Sequence, residues 1–199
     1  MKFVYIICGM LVSCAAMAQE NEVFILPGGQ TIVTPAFRVY VATGYKPSEK
    51  NIEFLKSLKE KIPEMQLVTF DAAKDNRNML LCRGSFPVYG PNKTPFSSLM
   101  EAALNMELVA SGVTNENSAR IQATLDEFDF SSFGGGAWKM SATFSAPGKA
   151  SFSVKNEYTF PVSFKAVTGC GEIMKAMETG IESFLSKVYS TPGFVALMQ

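Results

Sequence analysis

Three groups of residues are natural places to look for chemistry: the carboxylates Asp126, Glu127 and Asp129, the glycines at 134–136, and the cysteines Cys82 and Cys170. The three acids crowd one short stretch, as a calcium loop or a carboxylate-based hydrolase would require. The calcium spacing D-x-[DN]-x-[DN]-G is absent. Two catalytic carboxyls must face each other across about 5–9.5 Å, a geometry that spacing alone does not establish, so a solvated strand face is expected. Asp71, Asp75, Arg77 and Arg83 read in the same way, as residues of surface loops. The glycine run enters a strand at Trp138 and not a helix, so it lacks the junction that cradles phosphate. It is expected to be a hairpin connection. The 199 residues contain no histidine, which excludes Ser-His-Asp and Cys-His catalysis and the usual zinc sites. No catalytic residue, metal site or cofactor is expected.

The aromatics Trp138, Phe128, Phe130 and Phe133 read as core, with the lining of an apolar pocket as the alternative. Met100, Met106, Met174 and Met177 fall on helix faces, where they either fill gaps or form an adaptable partner groove. With 18 basic and 18 acidic residues the net charge is zero, so no nucleic-acid surface is expected.

The N-terminus reads as an address. Lys2, an apolar run over 3–12 and Ala16-Met17-Ala18 form a secretory signal peptide over 1–18, too short to span a bilayer. Leu11-Val12-Ser13-Cys14 also resembles a lipobox, which would tether the chain to a membrane through a lipidated Cys14. Inside the fold, Cys82 and Cys170 are expected to pair as a disulfide in an oxidising compartment; two buried thiols are the alternative. Asn92-Lys93-Thr94 matches a glycosylation acceptor, a three-residue pattern that arises readily by chance.

The elements that must position these residues follow from periodicity. Residues 19–35, with Pro27-Gly28-Gly29, read as an extended lead-in, and 36–199 as a single envelope domain. Phe37, Val39 and Val41 alternate with polar neighbours as a first strand. Ser48 caps a helix with Ile52, Leu55, Leu58 and Ile62 on one face, ended by Pro63. Residues 65–70 form a second strand and 79–82 a short apolar piece. The stretch 83–95, with three prolines, reads as an irregular loop. Thr94-Pro95 starts a helix running to about Ser111, with Gly112 as its left-handed cap.

Along the next strand the apolar parity slips between Leu125 and Phe128, which places a bulge near Asp126-Glu127. Trp138, Met140, Ala142 and Phe144 alternate with polar residues, Pro147-Gly148 fits a type II turn, and a long strand carries Phe152, Val154, Tyr158, Phe160, Val162 and Phe164 on one face. A last helix covers about 172–189, and Pro192-Gly193 breaks it before an apolar tail. The order β-α-β-(β)-α-β-β-β-α predicts an α/β (α+β) fold. Its single mixed, largely antiparallel sheet would carry about three helices on one face, with the last three strands as a meander.

Several of these features occur together in a known group. Cys82-Arg83-Gly84 before a Pro-rich loop, Glu107-Leu108 with Gly112, Trp138 opening a hairpin, Tyr158-Thr159-Phe160, Cys170, and the Pro192, Phe194, Leu197 tail resemble small proteobacterial envelope lipoproteins of the YajG-like and ABC-transport auxiliary families. The resemblance implies a periplasmic domain, soluble or lipid-anchored to the outer membrane, with no known catalytic residues. The expected function is a non-enzymatic accessory domain that binds an envelope protein partner in a transport or envelope assembly. A small-molecule or lipid-binding module and a carboxylate-based hydrolase are the alternatives.

Overall fold

A computed structural model describes residues 22–25, 31–34, 38–62, 64–71, 77–112, 114 and 121–199. The chain divides into two compact units, Met1–Phe37 and Arg38–Gln199. In the first, β1 (Glu22–Ile25) and β2 (Thr31–Thr34) pair antiparallel with Val23 opposite Val33. The stretch expected as a plain lead-in therefore contains a two-stranded ribbon. The expected leader over 1–18, with Cys14, lies outside the described residues.

The second unit is an α+β fold whose larger sheet is the expected meander. Here β7 (Ile121–Ser131), β8 (Gly136–Ser145) and β9 (Phe152–Phe160) pair antiparallel in sequence order. The parallel strand β4 (Val68–Phe70) completes the order β4-β7-β8-β9. Strict alternation on β8 explains why: Trp138, Met140, Ala142 and Phe144 are buried while the polar residues between them line the other face. The register of β7 shifts between Leu125 and Glu127, where the parity slip placed it. The turn after β8 closes with Lys149 N–H donating to Ala146 O at 3.2 Å, and Gly148 takes φ 75°, as the second central position of a type II turn demands. Phe164 departs from the expected strand face: β9 ends at Phe160, ahead of Pro161, and Phe164 lies exposed in the following loop.

The expected single sheet is divided. A second, three-stranded sheet in the order β3-β6-β5 consists of β3 (Tyr40–Val41), β5 (Met79–Cys82) and β6 (Phe86–Tyr89). Strand β6 lies inside the stretch read as an irregular loop. Its Pro87 is tolerated because β3 pairs only with Val88 and Tyr89, which leaves the strand unpaired on that side at Pro87. The parity of β3 is also the reverse of expectation, with Tyr40 buried and Val39 and Val41 exposed. Tyr40 is drawn inward because its ring packs edge-on against Phe86 and its hydroxyl donates to Val167 O at 2.8 Å.

Among the described residues of this unit four α-helices pack with its two sheets: α1 (Glu49–Ser57), α2 (Phe96–Ala110), α3 (Ala166–Ser190) and α4 (Pro192–Met198). The tail expected after Pro192 is itself helical, with proline at its start. Pro95 adopts an extended conformation, so α2 begins one residue later than expected, and Thr94 Oγ1 donates back to Pro91 O at 2.8 Å. Helix α3 begins at Ala166 despite Gly169 and Gly171. Close packing requires the first of these glycines, since a Cβ at 169 would lie 2.6 Å from Ser163 O. Trp138 joins sheet to helix, its indole N–H donating to Ile173 O at 2.9 Å. Phe96, Phe128, Phe144, Phe184 and Phe194 fill the surrounding core. Among the described residues no helix is long and apolar enough to cross a membrane.

Candidate interaction surface

The most elaborate polar constellation is buried. Glu107 lies in the apolar stripe of α2, three residues after Leu104 and four after Ala103, and is fully enclosed. Its Oε1 accepts from the Tyr45 hydroxyl at 2.6 Å, Ser48 N–H at 2.9 Å and Asn51 Nδ2 at 3.2 Å. Its Oε2 accepts from the Tyr189 hydroxyl at 2.8 Å and Asn51 Nδ2 at 3.2 Å. Burial, reinforced by the adjacent carboxylate, pushes both phenols above the ordinary tyrosine range. Every donor here is neutral, and the enclosed carboxylate ties α1, the segment before it, α2 and α3 together. Sequence reasoning missed this hub, although Glu107 interrupting two apolar rows is the signal that would have found it. Ser48, expected as a side-chain cap for α1, instead donates its hydroxyl to Glu182 Oε1 at 2.8 Å.

The outer face of the three-stranded sheet carries exposed apolar side chains on either side of its middle strand, where Pro87 is buried and Tyr89 half-buried. Val39 is 40% exposed, Val41 45%, Met79 37% and Leu81 52%. Register explains their grouping, since Val41 and Met79 flank Tyr89 across the sheet and Leu81 lies opposite Pro87. Lys93 Nζ stands 4.9 Å from the centre of the Tyr89 ring at the margin of this face. On the opposite face Tyr40, Leu80, Cys82 and Val88 enter the core. Isolated surface aliphatics are ordinary, whereas a contiguous patch of them on a sheet marks a contact surface.

Further depressions lie elsewhere among the described residues, the widest of about 540 Å³ beside Phe133, Lys139, Glu157 and Phe160. A cleft of about 220 Å³ between the stretch 42–45, α2 and α3 has Leu99, Met174, Met177 and Ile181 at its floor and Lys175 and Glu178 on its rim. A polar groove of about 420 Å³ runs between α1, β9 and α3. There Asn156 donates to Ser183 Oγ at 3.0 Å and Lys187 Nζ to Lys155 O at 2.6 Å.

The candidate residues of the sequence fall as follows. Cys82 on β5 and Cys170 in α3 form a disulfide with Cα atoms 5.9 Å apart, so the free-thiol alternative is set aside. Asp126 Oδ2 accepts from Thr143 Oγ1 at 2.7 Å, Glu127 pairs with Lys155 at 3.1 Å, and Asp129 Oδ1 accepts Phe130 N–H. Each acid is thus taken up on the sheet surface, and no group of three metal-ligating side chains occurs among the described residues. Phe128 and Trp138 are core, Phe130 packs on Trp138, and Phe133 is exposed. Of the four methionines, Met100 and Met177 are buried, Met174 is half-buried, and Met106 faces solvent. Arg83, read as a loop residue, is a clamp. Its guanidinium donates to Ser163 O at 2.5 Å, Ser132 O at 3.2 Å and the carbonyl of Phe164.

No family model matches the chain, and no curated protein matches it either. Among solved structures, a crystal structure of a Xanthomonas campestris protein of the DUF330 family is similar, with 10% identity and a TM-score of 0.46. The likeness covers 76% of this chain and 94% of that one. The resemblance to envelope lipoproteins thus has no matching family model behind it.

Proposed function

We propose that the chain is a non-enzymatic accessory domain of the bacterial envelope that docks a protein partner through the outer face of the β3-β6-β5 sheet. The observation that carries this reading is the patch of Val39, Val41, Met79 and Leu81, held on a sheet that the disulfide fastens to α3. A stiff, pre-formed apolar face loses little on association, which favours it as a binding element. Periplasmic residence, soluble or tethered through Cys14, is part of the same reading and is supported by the leader pattern and the cysteine pairing. The test is co-purification from envelope extracts at native expression, comparing the full chain with Val41→Lys and Leu81→Lys. The reading expects a stable partner that both variants lose. Recovery of no partner, or of one that both variants keep, overturns it.

The small-molecule alternative has its own observation, the methionine-floored cleft beside Tyr45. Its volume of about 220 Å³ is below the roughly 300–1,000 Å³ of ordinary ligand pockets. Native mass spectrometry of the purified chain checks it through co-purified apolar mass.

A further inference from the structure

The last strand of the larger sheet is open along one side. Among the described residues β9 pairs with β8 through nine consecutive positions without a bulge, and no strand lies beyond it. The opposite edge of the same sheet is closed, because Asn105 and Glu101 of α2 bond the peptide groups of Val68 and Phe70 on β4. A short strand, a proline, a bulge or an outward lysine are the usual devices that blunt an edge. Of these β9 itself carries only Lys155, and proline enters at Pro161, past its end. Lys187, exposed on α3, donates Nζ to Lys155 O at 2.6 Å, a contact that an incoming peptide N–H replaces.

The order of residues along β9 is symmetric about Asn156. Phe152, Ser153, Val154 and Lys155 on one side are answered by Phe160, Thr159, Tyr158 and Glu157 on the other. A second β9 laid antiparallel with Asn156 at the centre sets aromatic against aromatic and hydroxyl against hydroxyl. It also sets Val154 against Tyr158 and Lys155 against Glu157, each pair twice. Side-chain parity must match across a ladder, so the register changes only by whole pleats. One such step brings Lys155 opposite its own copy, or Glu157 opposite its own, and like charges directly opposite are destabilising. Both charges are exposed on the sheet's outer face. Lys155 lies 3.1 Å from Glu127 with 70% of its side chain exposed, and Glu157 stands across from Lys139 on β8 without an ion pair. On the other face the polar groove of about 420 Å³ has Asn156, Thr179, Ser183 and Ser186 in its wall, so small side chains border the space a second sheet enters.

From this pattern we infer that the chain forms a two-fold homodimer in which the β9 strands pair about Asn156, joining two four-stranded sheets into one. Main-chain bonds supply the attraction, and the Lys155–Glu157 pairs fix the register. The interface shares no residue with the β3-β6-β5 face proposed for a protein partner, and either assignment can fail alone.

The test uses the full chain and sedimentation velocity over a concentration series. A reversible dimer is expected, with hydrogen-exchange protection across 153–159 that rises with concentration. Lys155→Glu and Glu157→Lys each set like charges opposite one another twice, and each alone is expected to weaken dimerisation about tenfold. Each is measured after its urea midpoint is shown to match the parent. Mixed in equal amounts, the two variants regain complementary pairs at both positions, so native mass spectrometry is expected to find a heterodimer of near-parental affinity. A chain that stays monomeric at about 0.5 mM overturns the assignment, whatever other partner it collects. So does a dimer that both variants keep, one that mixing fails to restore, or one that Leu81→Lys abolishes.

Discussion

Tyr189, near the end of α3, donates its phenolic hydrogen to Glu107 Oε2 across 2.8 Å in a fully buried setting. Neutral donors alone solvate this carboxylate, so each carries a share of the cost of holding a charge in the core. Tyr189→Phe removes one of the carboxylate's donors and is expected to destabilise the domain by about 1–3 kcal/mol, and Glu107→Leu, which takes the acceptor from Tyr45, Ser48 N–H and Tyr189 and leaves Asn51 only Glu182 O, by more. Urea denaturation at neutral pH measures both.

The same pair predicts a pH dependence. The phenols of Tyr45 and Tyr189 are pushed above their ordinary value of 10.0, so above about pH 10 the unfolded chain gives up these protons while the native chain keeps them. A native state that holds more protons loses stability as pH rises. The contribution is therefore complete below about pH 10 and is lost beyond it. Tyr45→Phe and Tyr189→Phe are expected to flatten the decline in urea midpoint between about pH 9.5 and 11.

Neighbouring leucines on β5 provide a direct check of strand parity. Leu80 is buried and Leu81 is half exposed. Leu80→Ala is expected to cost about 2–4 kcal/mol and Leu81→Ala less than about 0.5 kcal/mol. Equal costs by denaturation would show the face to be reversed.

The outer edge of β4 is covered by side chains instead of a strand. Asn105 Oδ1 accepts Val68 N–H at 2.9 Å, its Nδ2 donates to Val68 O at 2.7 Å, and Glu101 Oε2 accepts Phe70 N–H at 2.8 Å. The Asn105 amide thus stands where a neighbouring peptide group would. Asn105→Leu is expected to cost about 1–3 kcal/mol and to open an edge prone to pairing. Concentration-dependent light scattering, together with the urea midpoint, tests both effects.

The meander was legible because its signals are local. Alternation on β8, the parity slip at Asp126-Glu127 and Pro147-Gly148 each act within a few residues. What escaped depends on contacts distant in sequence. Tyr40 turns inward for the sake of Val167, 127 residues away, against the pull of two flanking valines. Strand β6 passes through Pro87 only because β3 is two residues long. Glu107 is tolerable in the core only because Tyr45, Asn51 and Tyr189 converge on it. Exposure of the sheet face followed from the same reversal at Tyr40, so the candidate surface was hidden with it. Arg83 looked like a loop charge until the loops it holds were brought to it.

The bond between Cys82 and Cys170 closes a loop spanning 88 positions. On the chain-entropy view that closure is worth about 4–5 kcal/mol, and reduction under mild urea is expected to lower the midpoint accordingly. Its span encloses the β7–β8 and β8–β9 connections. A protease that cuts at 133–135 or 147–150 therefore produces two fragments that still travel as one particle, separating only when a reductant is added. If the chain resides in the envelope, as proposed, the bridge makes one scission survivable.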